Sequence, residues 1–181
     1  MKTRLLLIPG IALIVIVFNL VQLSHAESTP FGDPDNVAFA EKLWQAMEEL
    51  NLAGESANPD TPYKGTHPHG TVLETLTSTL SINGRQGEVL VKRNYGGTGV
   101  STAAVDDNRR KYIQDITVMF KRESGYDEAN QNWFWAKFSP DGTLESNPRG
   151  LKLAGRVAKG KDKGCIACHQ GAPGGDFLFV N

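Results

Sequence analysis

The sequence has only two cysteines among 181 residues, and this scarcity excludes a domain held together by many disulfides. It also lacks an excess of charge: 19 Lys and Arg stand against 20 Asp and Glu, for a formal net charge of −1. A nucleic-acid-binding domain usually carries a clear basic excess, so we expect no nucleic-acid partner. With 40% hydrophobic and 22% charged residues, the composition suits one globular domain.

The sequence also lacks a clean apolar run of the roughly 20 residues that a membrane span needs. Lys2 and Arg4 precede an apolar run over residues 5–23, but a proline, a glycine and two amides interrupt it. A small-residue cleavage site follows, which is the layout of an export signal. We therefore predict a signal peptide at residues 1–26 and one mature domain at 27–181, periplasmic or otherwise extracytoplasmic, with no stable membrane span after cleavage. The alternative is an uncleaved membrane anchor.

The mature part starts with one helical pattern and continues with strand patterns. The helix is predicted from a cap at Asn36 to about Ala53, with apolar residues at three- and four-residue spacing. Alternating, β-branched or aromatic segments predict strands at 71–82, 88–93, 112–122 and 133–138, with a short fifth strand at 143–144 and loops at 55–70 and 94–108. Asn83-Gly84 suits a tight hairpin turn between the first two strands. The expected fold is α+β, predominantly an antiparallel sheet with an N-terminal helix.

One segment carries recognisable cofactor chemistry. Cys165 to His169 reads C-x-x-C-H, the attachment pattern of c-type haem. The thiols of Cys165 and Cys168 reach the two vinyl-derived positions of the porphyrin, and His169 then lies beneath the iron as its protein ligand. We predict covalent haem c, held by a short C-terminal helix and enclosed by the sheet.

Two other interpretations of this segment stay open. A structural zinc site needs about four ligands, and Cys165, Cys168 and His169 would have to be joined by His67 or His69. A disulfide between the two cysteines is chemically reasonable outside the cytoplasm.

The sequence has no methionine after the haem motif, where a small electron-carrying cytochrome has its methionine ligand to the iron. No Met follows His169, and Met47 and Met119 fall on the apolar side of a predicted helix and in a predicted strand. Both therefore fit a core better than an axial position. We expect an iron with an open, weak or exchangeable sixth position, which can bind a small molecule.

The chain resembles the cytochrome P-460 family, which includes the β-sheet cytochromes c′ (cytochrome c′-beta). The resemblance covers about residues 36–181. Its motifs are Gly87 to Lys92, Asn132 to Trp135 with the turn Pro140 to Gly142, and Cys165 to His169 followed by Asp176-Phe177. Only the haem motif is specific by itself.

The resemblance implies an extracytoplasmic haem protein, often dimeric. P-460 members oxidise hydroxylamine, with nitric oxide and nitrous oxide among the products, and have a lysine joined covalently to the porphyrin. Members of the c′-beta type lack that bond and bind nitric oxide or carbon monoxide in an apolar pocket. Lys92 matches the cross-linking lysine by its position; the alternative is a solvated strand-end lysine.

The hydroxylamine-oxidising members place a carboxylate near the distal face, where this sequence has Thr117 or Val118, with Phe120 close by. Glu74 is our candidate to replace that carboxylate as a proton acceptor, although an edge position open to water would fit it equally. His67 and His69 are further candidates for a distal base, unless they are merely solvated. In the c′-beta alternative, Phe120, Trp133 and Trp135 act as bulk that excludes water and weakly coordinating ligands from the haem.

From these residues we predict a monohaem oxidoreductase acting on hydroxylamine or nitric oxide. Lys92 and Glu74 are its candidate catalytic residues, and a redox partner cytochrome accepts the electrons. The alternatives are a c′-beta-like nitric oxide-binding protein and a plain electron carrier. A homodimer is a further expectation from the resemblance.

Overall fold

A computed structural model describes residues 30–179. Six antiparallel strands form one sheet whose spatial order follows the chain, β1-β2-β3-β4-β5-β6. The strands are β1 Tyr63–Lys64, β2 Val72–Ile82, β3 Arg85–Tyr95, β4 Ile113–Lys121, β5 Trp133–Phe138 and β6 Ala154–Gly155. The α-helices are α1 Pro34–Glu49, α2 Thr102–Asp107, α3 Arg109–Tyr112 and α4 Cys165–His169, and a 3-10 turn spans Glu128–Asn130. The predicted α+β class with a predominantly antiparallel sheet is confirmed.

Helix α1 begins earlier than the sequence pattern suggested. Asp33, not Asn36, is the N-cap, and its carboxylate accepts a hydrogen bond from the Asn36 backbone N–H at 2.9 Å. Pro34 fits the first turn because that turn has no intrahelical partner for its missing N–H. The helix ends at Glu49 rather than near Ala53.

The long β2–β3 hairpin is confirmed, and its register decides which residues share a face. Asn83 and Gly84 form the turn with φ of 52° and 76°, values that Asn and Gly tolerate best. Pairing continues over all of both strands and places Lys92 opposite Thr75 on β2 and opposite Thr117 on β4.

Three loop and strand predictions were wrong. The predicted loop at 94–108 contains helix α2, whose cap Ser101 accepts from the Ala104 N–H at 3.1 Å. The predicted fifth strand at 143–144 is only a single bridge between Leu144 and Phe138, and the sixth strand lies later at Ala154–Gly155. The Pro-rich segment 55–70 holds the two-residue strand β1.

The two faces of the sheet are covered by different parts of the chain. Residues of β3, β4 and β5 that point to one face pack with α1 in the main core, among them Val89, Val91, Val118, Phe120 and Phe134. The alternate residues face the C-terminal segment in a second apolar cluster that includes Leu90, Met119, Trp135, Ile166 and Phe177. Strand alternation therefore separates a structural face from a face that meets the haem motif.

The C-terminal segment carries the predicted short helix, α4, over the haem motif. Between Pro30 and Phe179, no helix is both long enough and apolar enough to cross a membrane. The predicted signal peptide lies outside the described residues.

Candidate haem site

A cavity of about 580 Å³ lies between the C-terminal segment and one face of the sheet. Its size falls within the roughly 300–1,000 Å³ of small-molecule and cofactor sites. The sheet contributes alternate residues of three adjacent strands, namely Leu90, Lys92, Thr117, Met119, Trp135 and Lys137. The opposite side carries the complete haem motif, so the fold brings the motif and one sheet face around one space.

His169 is held in an orientation that suits an iron ligand. The residue is 7% exposed, and its Nδ1 donates a hydrogen bond to the Phe177 carbonyl at 2.6 Å, since a carbonyl can only accept. Nε2 is then the nitrogen that carries the lone pair. Burial lowers the pKa of His169, which favours the neutral ring that binds metals. A backbone carbonyl on the second nitrogen is the usual way in which a metal-binding histidine is oriented.

The residues around His169 fit a haem. Cys165 and Cys168 are free thiols and both line the cavity, Cys165 half-buried and Cys168 exposed. Trp135 packs edge-on against the His169 ring with centroids 4.8 Å apart. Its Nε1 is buried without a hydrogen-bond partner among the described residues, an unused donor in the wall of a cofactor-sized space. When bound, a c-type haem would supply a redox-active iron at His169.

The zinc interpretation is not supported. No group of three or more His, Cys, Asp or Glu side chains within residues 30–179 is arranged to hold a metal ion.

Lys92 is not a solvated strand-end lysine. Its side chain is 4% exposed, it lines the cavity, and its Nζ donates to the Phe179 carbonyl at 3.1 Å. Burial lowers the pKa of Lys92, because desolvation disfavours the charged ammonium. Lys92 also lines a second cavity of about 510 Å³ that shares Cys168 with the first. The amine therefore lies beside the haem motif.

A polar chain that the sequence patterns did not reveal crosses the cavity wall. Asp115 accepts a hydrogen bond from Asn94 Nδ2 at 2.6 Å, and Asn94 Oδ1 lies 3.1 Å from His69 Nδ1. Asp115 also pairs with Lys137 at 3.1 Å. Burial, with the charge of Lys92, lowers the pKa of His69 to about 4, so the ring is neutral at neutral pH. Asp115 is thus a carboxylate on the sheet side of the cavity, and Asp162 also lines it.

The structure corrects the prediction that Glu74 is a distal proton acceptor. Glu74 faces the α1 side, is fully buried, and pairs with Arg93 at 3.1 Å and Arg109 at 2.7 Å. The Tyr95 hydroxyl donates to it at 2.5 Å. Phe120, predicted near the haem, lies on the same α1 side and packs against Phe39 with ring centroids 5.7 Å apart. Neither residue lines the cavity.

The sequence model of the family described as Cytochrome P460 matches residues 55–180. The chain belongs to the cytochrome P-460 family. Comparisons with curated proteins and with solved structures gave no match. Membership confirms the resemblance and makes the chain a haem c cytochrome, in agreement with a cavity that collects the motif, Lys92 and a neutral histidine.

The missed residue Asp115 left a weak signal in the sequence. Asp115, Thr117 and Met119 alternate on one face of β4, opposite the apolar Ile116 and Val118. Strand β4 was predicted correctly, so these three residues were expected to share one face. Because Thr117 pairs with Lys92, placing Lys92 at the haem also places this face of β4 there. What the sequence lacked was the pairing of Asp115 with Asn94, which depends on the β3–β4 register.

Proposed function

We propose that this cytochrome oxidises hydroxylamine, nitric oxide or both at an iron whose second axial position is open or exchangeable. The observation that carries the proposal is Lys92: a buried amine on the sheet, lining the same cavity as Cys165, Cys168 and His169. That placement is what a lysine bonded to the porphyrin edge requires. A c′-beta-like protein needs no amine there.

The chemistry assigns separate tasks to the residues of the cavity. Oxidation of two hydroxylamine molecules to nitrous oxide and water releases four protons and four electrons. Asp115 offers a carboxylate within the cavity as a proton acceptor, while His169 holds the iron and a redox partner cytochrome takes the electrons. Lys92 restrains the macrocycle. We place this reaction outside the cytoplasm, in a mature domain formed by residues 27–181, with a homodimer as the expected assembly.

The test compares wild type with Lys92→Ala in a host that attaches c-type haem. We expect a red-shifted ferrous Soret band and hydroxylamine-dependent reduction of an electron acceptor in wild type, and loss of both in Lys92→Ala. The matched control is Lys42→Ala, because Lys42 is exposed on α1 and its Nζ donates, within residues 30–179, to Asn83 alone. An unchanged spectrum and unchanged turnover in Lys92→Ala would show that Lys92 is not bonded to the haem.

Nitric oxide binding without turnover is the second candidate function. Apolar side chains cover part of the cavity wall, namely Leu90, Met119, Leu153 and Val157. Such a wall favours small uncharged ligands over water. An ordinary c-type spectrum with nitric oxide binding, but no reduction of an acceptor by hydroxylamine, would select this function.

A further inference from the structure

His69 and His169 lie on the same cavity, and their rings have the spacing of two ligands on one metal. Two imidazoles on opposite sides of one ion, each with a metal–nitrogen distance of about 2.0–2.1 Å, hold their ring centroids about 6.3 Å apart. The observed centroids are 6.2 Å apart. The observed separation is therefore the one expected for two imidazoles on opposite sides of one iron.

Hydrogen bonds fix the nitrogen that His69 presents. Asn94 Nδ2 donates to the Asp115 carboxylate at 2.6 Å, and this contact sets the orientation of the amide, because a carboxylate only accepts. Asn94 Oδ1 is therefore the atom 3.1 Å from His69 Nδ1, so Nδ1 carries the proton and donates. The lone pair of His69 is on Nε2. His169 has the same tautomer for the same kind of reason, a carbonyl on its Nδ1.

The backbone is shaped to bring His69 this close to the sheet. Gly70 follows it, and a Cβ at that position would meet the backbone N and O of Tyr95 at 2.5 Å. Only glycine lets the loop approach the end of β3 so closely. His69 is nevertheless on a loop, and its neighbours His67 and Pro68 are exposed. A ligand on such a loop can be exchanged without disturbing the sheet.

From this geometry we propose that His69 Nε2 is the second axial ligand of the haem iron in the resting protein, opposite His169, and that a small nitrogen compound binds by displacing it. The inference rests on the proposed function for the identity of the incoming molecule. It does not rest on turnover. Asn94 and Asp115 are positioning residues that hold the His69 ring.

The test reads the coordination state of the haem rather than activity. We expect the ferric wild-type protein to be six-coordinate and low-spin by optical and electron paramagnetic resonance spectra, and His69→Gly to be five-coordinate and high-spin. Added imidazole should restore the low-spin spectrum of His69→Gly, with an affinity at least about tenfold higher than for wild type, where the tethered ring competes. His67→Gly, two residues away on the same loop, should keep the wild-type spectrum.

Three results would overturn the inference: a high-spin five-coordinate wild type, a low-spin His69→Gly without imidazole, or a spin change in His67→Gly instead. His69→Gln keeps a polar side chain beside Asn94 and serves as the second variant should His69→Gly fail to fold; it should also be high-spin. Absence of hydroxylamine oxidation in a protein that shows the spin change would refute the proposed function and leave the role of His69 standing.

Discussion

Lys92 and Arg93 are neighbours in β3, yet they show how differently the two faces of the sheet treat a buried cation. Arg93 is 3% exposed on the α1 face and pairs with the Glu74 carboxylate, which Arg109 and Tyr95 also contact. Lys92 is 4% exposed on the cavity face and meets only the Phe179 carbonyl among the described residues. On the α1 face a carboxylate compensates the charge of Arg93. On the cavity face the Lys92 amine has no such partner among the described residues and is available to bond to a cofactor.

The comparison separates structural from functional burial. A buried ion pair holds its side chains in one arrangement only while all of the charged partners are present. Glu74 is buried as part of such an ion pair, and its burial does not indicate a catalytic role. On the cavity face, burial lowers the pKa of Lys92, and it lowers the pKa of His69 to about 4, so the His69 ring is neutral at neutral pH and can bind a metal. Substitutions on the α1 face are therefore expected to change the stability of the fold, and substitutions on the cavity face are expected to change the haem spectrum or ligand binding.

The largest expected effect is on the α1 face. Glu74→Gln removes the carboxylate and leaves Arg93 buried without its counter-charge, which should lower the free energy of unfolding by about 3–5 kcal/mol. Denaturant titration of the haem-loaded protein measures it. The ferric spectrum of the folded fraction should stay unchanged, because Glu74 does not line the cavity. Loss of less than about 1 kcal/mol would mean that the cluster is no more than a surface ion pair.

Gly70→Ala should disturb the cavity face with a smaller loss of stability. The added methyl group meets the Tyr95 backbone, and overpacking of this kind costs about 1–3 kcal/mol. The displaced loop should also convert the ferric haem toward the high-spin state as His69 moves away. Thr71→Ala, at an exposed neighbouring position, should change neither property. If Gly70→Ala kept the wild-type spectrum, the close approach of the loop would not be what positions His69.

Asn94→Ala should change ligand exchange more than stability. Without the Asn94 oxygen the His69 ring loses its anchor, and loss of such a second partner typically weakens metal binding by about 10–100-fold. We expect exogenous imidazole to bind the ferric protein about tenfold more tightly than in wild type, by optical titration. Thr117→Val should have a weaker effect, since Thr117 Oγ1 lies 3.4 Å from His69 Nδ1. Equal effects of the two variants would contradict the role given to Asn94.

The smallest effect is expected for Glu123, a partly exposed carboxylate that serves as the comparison for the buried Glu74. The hydrogen bond from Arg122 lowers the pKa of Glu123 to about 2. Because the folded pKa lies below the unfolded value of 4.5, the pair stabilises above pH 4.5 and its contribution disappears as pH falls toward 2. Glu123 is 37% exposed, so Glu123→Gln should cost under about 1 kcal/mol at pH 7 and only a small fraction of that near pH 2. A cost that was undiminished at pH 2 would have another cause.

Sequence periodicity predicted the four long strands but not the two-residue strands β1 and β6, and it did not predict what covers each face of the sheet. The strands of β2 to β5 followed from alternation, and the haem motif from its spacing. Glu74 was placed at the haem because it shares a predicted strand face with apolar residues, and Phe120 through the family resemblance. Neither argument tells what covers that face. Phe120 is buried against α1, and Glu74 is buried among Arg93, Tyr95 and Arg109, and tertiary packing decides both.

The residues that complete the site come from different elements, and this is why the sequence did not reveal them together. His69 lies on a Pro-rich loop, Asn94 near the end of β3, and Asp115 on β4. Their contacts depend on register and on the close approach at Gly70, neither of which a local pattern encodes. Helix α2 was missed because the glycine-rich residues 96–99 predicted a loop, and the helix that Ser101 caps begins directly after them.

Mass spectrometry of protein matured in a host that attaches c-type haem tests the central claim most directly. The intact protein should carry the mass of one haem, and proteolysis should leave that haem on the peptide containing Cys165 and Cys168, joined to a second peptide containing Lys92. A polypeptide of unmodified mass, with both thiols free to react, would contradict the account.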